Sequence, residues 1–540
     1  MYCSNAFIKK LLWGSGKCGC KRPHFFPVLI SLFISSSVIL SGCKDDSKDE
    51  GTRKKIADSS YMNSLEEEDP ALSLVQNEFT ISPKIVLNQD GYQVGAEKTI
   101  LFIGKTFPET FEIRRIEDDS VAFTGSIGAS KHSDELDREV AFATFTDFQS
   151  EGDYYVYADT LGDSCAFSIR NDAYDILYKQ ASKSVYYSRC GTDFGEDEER
   201  DSRKLKDGCH TNEAFTKEDN SVKKNVSGGW HTDSKGNRDV RTGCRILNNM
   251  LLSYELNSGA FGDDAGIKET GNGIPDILDE AFYEAKWLLK MQDAVSGKVY
   301  ESAITDGEKI VLIPFNENTA MECAGSLAWF SNLYRKYNAQ FADECLSAAK
   351  KAFLSVDASS KNIEEETRFF AAVELYRITG DGAYSSVINP FLKRSDYYQR
   401  IMENDEIFLG DICYLMTSQK VNKKVCAKII NALMVEAEKV ATATKTSEFK
   451  TSVKNLDAQK LLNNVRCMVV TEHILSSNEY TKILEDQLHY ILGRNELGVN
   501  LVQTDSEFSY KNLKDYELLG VMDNLYLNSE FLVLLGTMRR

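Results

Sequence analysis

The hydrophobic period of this chain changes once, near residue 170, and that change limits what it can fold into. From Pro83 to about Arg170, short apolar runs are separated by Gly, Asp and Ser turn residues. Examples are Ile85-Val86-Leu87, Thr99-Ile100-Leu101-Phe102-Ile103, Phe142-Ala143-Thr144-Phe145 and Asp153-Tyr154-Tyr155-Val156-Tyr157. About seven such strands in roughly ninety residues predict a small all-β, immunoglobulin-like sandwich. Beyond Tyr174 the spacing becomes helical. Ile277, Leu278, Ala281, Phe282, Ala285, Leu288 and Leu289 make one stripe; Phe369, Phe370, Val373 and Tyr376 make another, closed by Gly380; Ile483, Leu484, Leu488, Ile491 and Leu492 make a third, ended by Gly493. Roughly ten to twelve such segments run to Arg540 with no strand-rich block between them, which predicts a mainly α domain of toroid, solenoid or bundle form.

The 540 residues suffice for more than one domain with a large core. A formal charge of -19 excludes nucleic acid and anionic lipid surfaces as partners, because both would repel the chain. Residues 1–42 carry Lys9, Lys10, Lys17, Lys21 and Arg22 and no acid, so their removal takes the charge from -19 to -24. A basic start, an apolar run from Phe25 to Leu40 and the ending Leu40-Ser41-Gly42-Cys43 have the design of an export signal. They resemble a bacterial lipobox, in which Cys43 would carry the lipid. An ordinary signal peptide or an anchor helix is the alternative. Residues 43–81 are polar, acidic and aperiodic and read as a disordered tether. The expected order is signal peptide 1–42, tether 43–81, sandwich 82–172 and helical domain 173–540. The address is then that of an exported bacterial lipoprotein, at the outer membrane or cell surface, held to the membrane by its lipid alone.

Three cysteines lie in the leader and Cys43 is the lipidation candidate, so nine of the 13 remain. Most, such as Cys323, Cys345 and Cys467, sit among apolar helical residues and read as small buried hydrophobes.

Two stretches carry the functional information: Val226-Ser227-Gly228-Gly229-Trp230-His231 and Gly271-Asn272-Gly273-Ile274-Pro275-Asp276-Ile277-Leu278-Asp279-Glu280. Together they resemble the signature of glycoside hydrolase family 9, the cellulase family. Ile85 to Tyr92 resembles the Asn-Gln-x-Gly-Tyr start of the immunoglobulin-like domain that precedes many of its catalytic domains. Tyr337 to Ala352, Arg368 to Tyr376 and Leu488 to Gly498 resemble further family segments, in family order. The resemblance implies an (α/α)6 barrel behind the sandwich and β-linked polysaccharide or oligosaccharide as the partner molecule.

The family's chemistry needs two carboxyl groups across the scissile bond, one protonated and one ionised. The family pattern after Gly-Gly-Trp puts aspartates where this chain has Thr232 and Lys235, with Tyr254-Glu255 confirming the register of that count. Counting back from Asn528-Ser529-Glu530-Phe531-Leu532-Val533 puts Met522 at the family's general acid. None of the three can perform the task. Asp233 and Asp523, each one residue away, are the displaced catalytic candidates; Glu530 is a third carboxylate nearby, read as solvated or helix-capping. The family's sugar-gripping Pro-His-His-Arg loop has no counterpart between Glu496 and Val521, which contains no histidine. Trp230 and His231 are the substrate-binding candidates by the same resemblance; Trp287 and Trp329, within apolar helical runs, read as core.

Cys190, Cys209 and His210 resemble three ligands of the family's structural zinc. The resemblance places the fourth at Arg238, which cannot ligate, leaving His231 or Asp239. A Cys190–Cys209 disulfide or two free thiols remain open alternatives. The expected function is that of a family 9-like, cellulase-type protein of β-glycan metabolism at the cell envelope whose hydrolysis is lost or weak. The alternative is a surface lipoprotein that binds glycan or protein without catalysis. Replacing Cys43 by Ser is expected to move the protein from the membrane fraction to the soluble one; unchanged fractionation would sink the lipobox.

Overall fold

A computed structural model describes residues 84–195, 208–217, 219, 223–307, 309–394, 397–502 and 520–539. The leader, the tether and Cys43 lie outside these residues. Among the described residues no helix is long and apolar enough to cross a membrane.

The first ten strands alternate in and out of a sandwich core. Strands β1 (Ile85–Val86), β3 (Thr99–Ile103), β7 (Arg138–Thr144) and β6 (Lys131–Ser133) form one sheet in that order. The second runs β2 (Tyr92–Gln93), β10 (Phe167–Arg170), β8 (Gly152–Ala158), β4 (Thr110–Arg115) and β5 (Val121–Ser126), with β9 (Gly162–Asp163) paired to β8. In β4 the period of two buries Phe111 and Ile113 and leaves Glu112 and Arg114 at the margin. Phe102, Tyr154, Val156, Phe167 and Ile169 complete that core. Within the sandwich all ladders are antiparallel except β10–β2, where Ile169 is set beside Tyr92.

Among the described residues, twelve α-helices follow: α1 (Ala173–Tyr186), α2 (Val240–Leu256), α3 (Asp276–Met291), α4 (Glu317–Tyr334), α5 (Ala339–Leu354), α6 (Glu365–Thr379), α7 (Ser385–Phe391), α8 (Asp405–Met416), α9 (Lys423–Thr446), α10 (Ala458–Leu475), α11 (Thr481–Ile491) and α12 (Leu525–Met538). Helices α2, α4, α6 and α8 pack on one another in sequence, as do α10 and α12, and α12 returns to α2 to close a ring. Between α8 and α10 the ring is joined by the ion pair of Asp405 with Arg466 at 2.6 Å. The odd-numbered helices lie outside it: α3 against α2 and α4, α5 on α4, α7 on α6, α9 and α11 on α10, and α1 on α12. This is an (α/α)6 barrel. The inner helices α4, α8 and α12 are buried nearly all round, as a ring enclosed by a second ring requires. Gly380 ends α6 in the left-handed conformation at φ +67°, where a side chain would be strained.

One element was not legible in the period. A five-stranded sheet, β12 (Lys223–Lys224), β11 (Ala214–Thr216), β15 (Lys309–Leu312), β14 (Ser302–Asp306) and β13 (Arg238–Asp239), sits among the helices, against the expectation of none. Its strands span two to five residues, too short for alternation to register. It covers the barrel beside the starts of α2 and α4.

The sandwich docks on the segment after α11. Gln89 N–H donates to the Leu492 carbonyl at 2.8 Å, and its side chain reaches the Gly498 carbonyl. Asn88 Nδ2 meets His489 Nδ1 at 3.0 Å, and Arg494 donates to Thr99 Oγ1 at 2.6 Å. Gly493 holds φ +122°, and a Cβ there would stand 2.7 Å from Gln89 Cγ, so close approach of the two domains needs glycine. The same segment then pairs with the stretch before α12. Leu501 N–H donates to Ile491, Val521 N–H to Leu501 and Met522 N–H to Val502.

Candidate functional site

Two glutamates one turn apart on α3 hold the Gly-Gly-Trp turn. Glu284 Oε2 accepts the Trp230 backbone N–H at 3.0 Å, and Glu280 Oε2 accepts its indole N–H at 3.3 Å. Gly229 sits at φ +78° with Trp287 packed on it so closely that a Cβ would lie 2.5 Å from the ring. Arg238, 1% exposed, donates to the carbonyls of Val226 and Gly228 at 2.6 and 2.9 Å. Arg189 closes the arrangement: it lies against the rings of Tyr186 and Tyr283 and pairs with Glu269 and Glu280, each at 2.9 Å. Burial raises the Glu280 carboxyl despite that partner, and it pushes Glu284 up to about 8.

Trp230 is therefore 1% exposed and hydrogen-bonded inside the barrel wall, not a stacking face open to sugar. Trp287 and Trp329 are core, at 1% and 0% exposure.

The backbone pairing of Cys190 N–H with Gly229 O and of His231 N–H with Ser188 O, both 2.8 Å, brings two distant segments together. Cys190, Cys209, His210 and His231 converge, with ligand atoms all within 4.8 Å of one another. Cys190 Sγ lies 3.9 Å from Cys209 Sγ and 3.5 Å from His210 Nδ1. His231 Nε2 lies 3.4 Å from Cys209 Sγ and 3.3 Å from His210 Nδ1. The cysteines are free thiols at this separation, not a disulfide. The hydrogen bond from Cys190, reinforced by His231 against the opposing effect of burial, draws the Cys209 thiol down to about 3; that same bond and burial push Cys190 up. Thr305 Oγ1 meets the other His210 nitrogen at 3.0 Å and so orients the ring. Arg238 is occupied with carbonyls, and Asp239 caps α2 by accepting from Thr242 N–H at 2.8 Å. His231 is the fourth member of this Cys–His group. A second group, Asp263, Asp276 and Asp279, is engaged with its own loop: Asp263 accepts from Gly271 and Gly273, Asp276 from Ala265 and Thr270, Asp279 from Asn272.

The inner helices start at one end of the barrel, where Asp239, Asn316, Asn404, Asp457 and Asn524 cap five of them. Thr232, Lys235 and Met522 all belong to this mouth. Thr232 is locked to Asn237 O through its N–H and its hydroxyl, at 2.8 and 3.0 Å. Asp233 accepts from Lys235 N–H, Asn237 N–H and Asn237 Nδ2; slight burial opposes these bonds, but they leave its carboxyl below the ordinary range. It closes a turn and stays ionised. Met522 is 2% exposed, with its carbonyl accepting from Ser184 Oγ at 2.6 Å; Asp523 is exposed in the turn before the Asn524 cap. Glu530 is neither solvated nor a cap. It is 0% exposed, beside Arg466 at 3.2 Å, and burial raises its carboxyl to about 7.

Arginines cross this mouth. Arg241 and Arg245 of α2 reach over α4: Arg241 pairs with Glu364 at 2.6 Å, and Arg245 with Glu406 on α8 at 2.7 Å, on the opposite side of the ring. Arg466 of α10 holds Asp405 and Glu530, and Tyr526 OH donates to Asp405 at 2.7 Å. Burial and the neighbouring Glu406 hold Glu322 well above the carboxylate range. The sequence does not announce these pairings, because each partner of an arginine lies far from it along the chain.

The family model for Glycosyl hydrolase family 9 matches residues 174–507, and that for the Cellulase N-terminal ig-like domain matches residues 80–163. The chain belongs to glycosyl hydrolase family 9. Endoglucanase D of Acetivibrio thermocellus is 23% identical over 477 residues, 81% of this chain and 75% of that protein. A cellodextrinase of Butyrivibrio fibrisolvens is 24% identical over 79% of this chain and 86% of its own length. Among solved structures, a metagenome-derived family 9 endoglucanase superposes with a TM-score of 0.72 at 20% identity, covering 84% of this chain and 99% of that one. A Zn-binding triple mutant of the family 9 endoglucanase J30 superposes at 0.68 and 18% identity, over 83% and 100% of the two chains.

Glu284 and Glu530 both bind a proton more tightly folded than unfolded, with folded values of about 8 and about 7 against 4.5. That contribution is fully present below the unfolded value and is lost as pH rises through the folded one. Thermal stability is expected to fall between about pH 5 and pH 8. Glu284→Gln, which keeps an acceptor for Trp230 N–H without a titrating proton, should flatten the slope. A Tm that rises over this interval, or an unchanged slope in the variant, would contradict the assignment.

Proposed function

We propose that this family 9 protein binds β-linked glycan at the cell envelope and has lost, or nearly lost, hydrolysis. The observation that carries this is the state of the carboxylates at the mouth. Asp405, Glu406 and Glu364 are tied to arginines, and Asp233 and Asp239 to backbone N–H groups. The acid with a usefully raised pKa, Glu530, is sealed from solvent and cannot reach a glycosidic oxygen. An inverting mechanism needs a protonated carboxyl and an ionised one facing the same bond with a water between. The relatives are named as endoglucanases and a cellodextrinase, which supports glycan as the ligand class. The lipobox at Cys43 supports an exported, lipid-anchored protein.

Cys190, Cys209, His210 and His231 are proposed to hold a structural zinc. A tetrahedron with Zn–S near 2.3 Å and Zn–N near 2.05 Å has edges of ~3.3 to 3.8 Å; four of the six edges among the ligand atoms measure 3.3 to 3.9 Å, and all lie within 4.8 Å. Two thiolates and two imidazoles leave no open position, so such an ion would stitch the Cys190 and Cys209 segments to the turn after Trp230 and take no part in chemistry. Purified protein should contain close to one zinc per chain, and chelation should lower its Tm; a metal-free protein with unchanged Tm would refute the site.

Hydrolysis of cellulose, xyloglucan and mixed-linkage glucan is expected to be undetectable or very slow, since loss of a general acid alone costs on the order of 100- to 10,000-fold. Inverting turnover abolished by Asp233→Ala or Asp523→Ala would overturn this reading. Thr232→Asp, Lys235→Asp and Met522→Glu together should not restore activity, because position 522 is packed inside the barrel and a glutamate there would be a buried charge.

A further inference from the structure

Sugar recognition usually uses an aromatic face, and the three tryptophans that would be the first candidates are all buried. Among the described residues, Phe315 is the one exposed phenylalanine or tryptophan, at 41%. It immediately precedes Asn316, the cap of inner helix α4, so it stands at the mouth end of the barrel. Its ring lies 4.2 Å from that of Tyr300, at 35°. The two backbones pair across an antiparallel bridge, and Tyr300 N–H is fixed to the Met291 carbonyl at 3.0 Å, so the backbone positions that carry the two rings are fixed relative to each other. The next residue, Glu301, accepts the N–H of Val240, the first residue of α2, at 3.0 Å. The pair is therefore continuous with the mouth, on the side where α2 and α4 begin. Two cations border it: Lys224 Nζ lies 5.4 Å from the Tyr300 ring and is bound to the Gln292 carbonyl, and the exposed Lys298 lies 6.0 Å from the Phe315 ring.

We infer that Tyr300 and Phe315 form a stacking platform on the rim of the mouth that takes one pyranose ring of a β-linked glycan, with Lys298 donating to its hydroxyl groups. A β-linked glucose or xylose ring carries its hydroxyls in the equatorial plane and its C–H bonds on the two faces. Such a face is apolar and matches an exposed aromatic pair, while an ammonium at the edge meets the hydroxyl rim. The inference rests on the glycan-binding reading and adds a location to it.

The experiment is affinity electrophoresis of the purified protein in gels containing xyloglucan, mixed-linkage glucan or a polyuronate. Wild type, Phe315→Ala, Phe315→Trp and Phe315→Ala/Lys298→Ala are compared, with Tm confirming each fold. Phe315→Ala should weaken retardation by neutral β-glucan about five- to tenfold, the range of a lost aromatic stacking contact. Phe315→Trp should retain it or strengthen it. Wild-type retardation left unchanged in both alanine variants would overturn the platform and leave the glycan reading standing. A wild type that no polysaccharide retards would overturn both. Retardation by polyuronate alone, abolished by Lys298→Ala without dependence on ring identity at 315, would also overturn the platform, replacing stacking by charge.

Discussion

Much of this molecule hangs on the bond from the Trp230 backbone N–H to Glu284. It is made in full burial, where an unpartnered amide or carboxylate would be costly, so the turn and helix α3 are committed to each other. From that fixed point, Gly229 presents its carbonyl to Cys190, and His231 is delivered to Cys209 and His210. The turn from Thr232 to Asn237 then folds over the start of α2. One contact thus sets both the Cys–His cluster and the mouth.

The mouth itself is organised by charge that is internally consumed. In a ring of six inner helices, α2 and α8 are diametrically opposed, and Arg245 with Glu406 spans that diameter. Arg466 binds α10 to α8 and α12 from within. Buried pairs of this kind gain little net stability over apolar packing, but removing one member strands the other. Such a network ties the inner ends of four helices to one arrangement.

The change of period near residue 170 located the sandwich and the helices because burial on one face writes itself into local spacing. Gly380 and Gly493 marked real ends for the same reason: the conformation each requires is a property of its own position. The five-stranded sheet escaped because strands of two to five residues are too short to show a period. Cys190, Cys209 and His210 were singled out together by the family resemblance, and the fold brings them to one place. His231 was legible as a functional position, but its orientation depends on a bridge between Arg189 and Trp230, which only the fold creates. Glu530 was misread as solvated because nothing near it in sequence announces Arg466, 64 positions earlier. Trp230 was a substrate-binding candidate by resemblance, and a tryptophan beside glycine is ambiguous until the acceptor of its indole N–H is known.

The docking of Asn88 and Gln89 on the segment after α11 reaches further than the domain boundary. That segment runs on through Leu501 and Val502, which pair with Val521 and Met522. The sandwich therefore acts as a splint for the strand-like stretch from which the acid position of the family is suspended. Cutting the chain between β10 and α1 would leave a barrel whose rim is unsupported on one side. In this architecture the two domains are one mechanical unit, and a change in the small domain is felt at the opening of the large one.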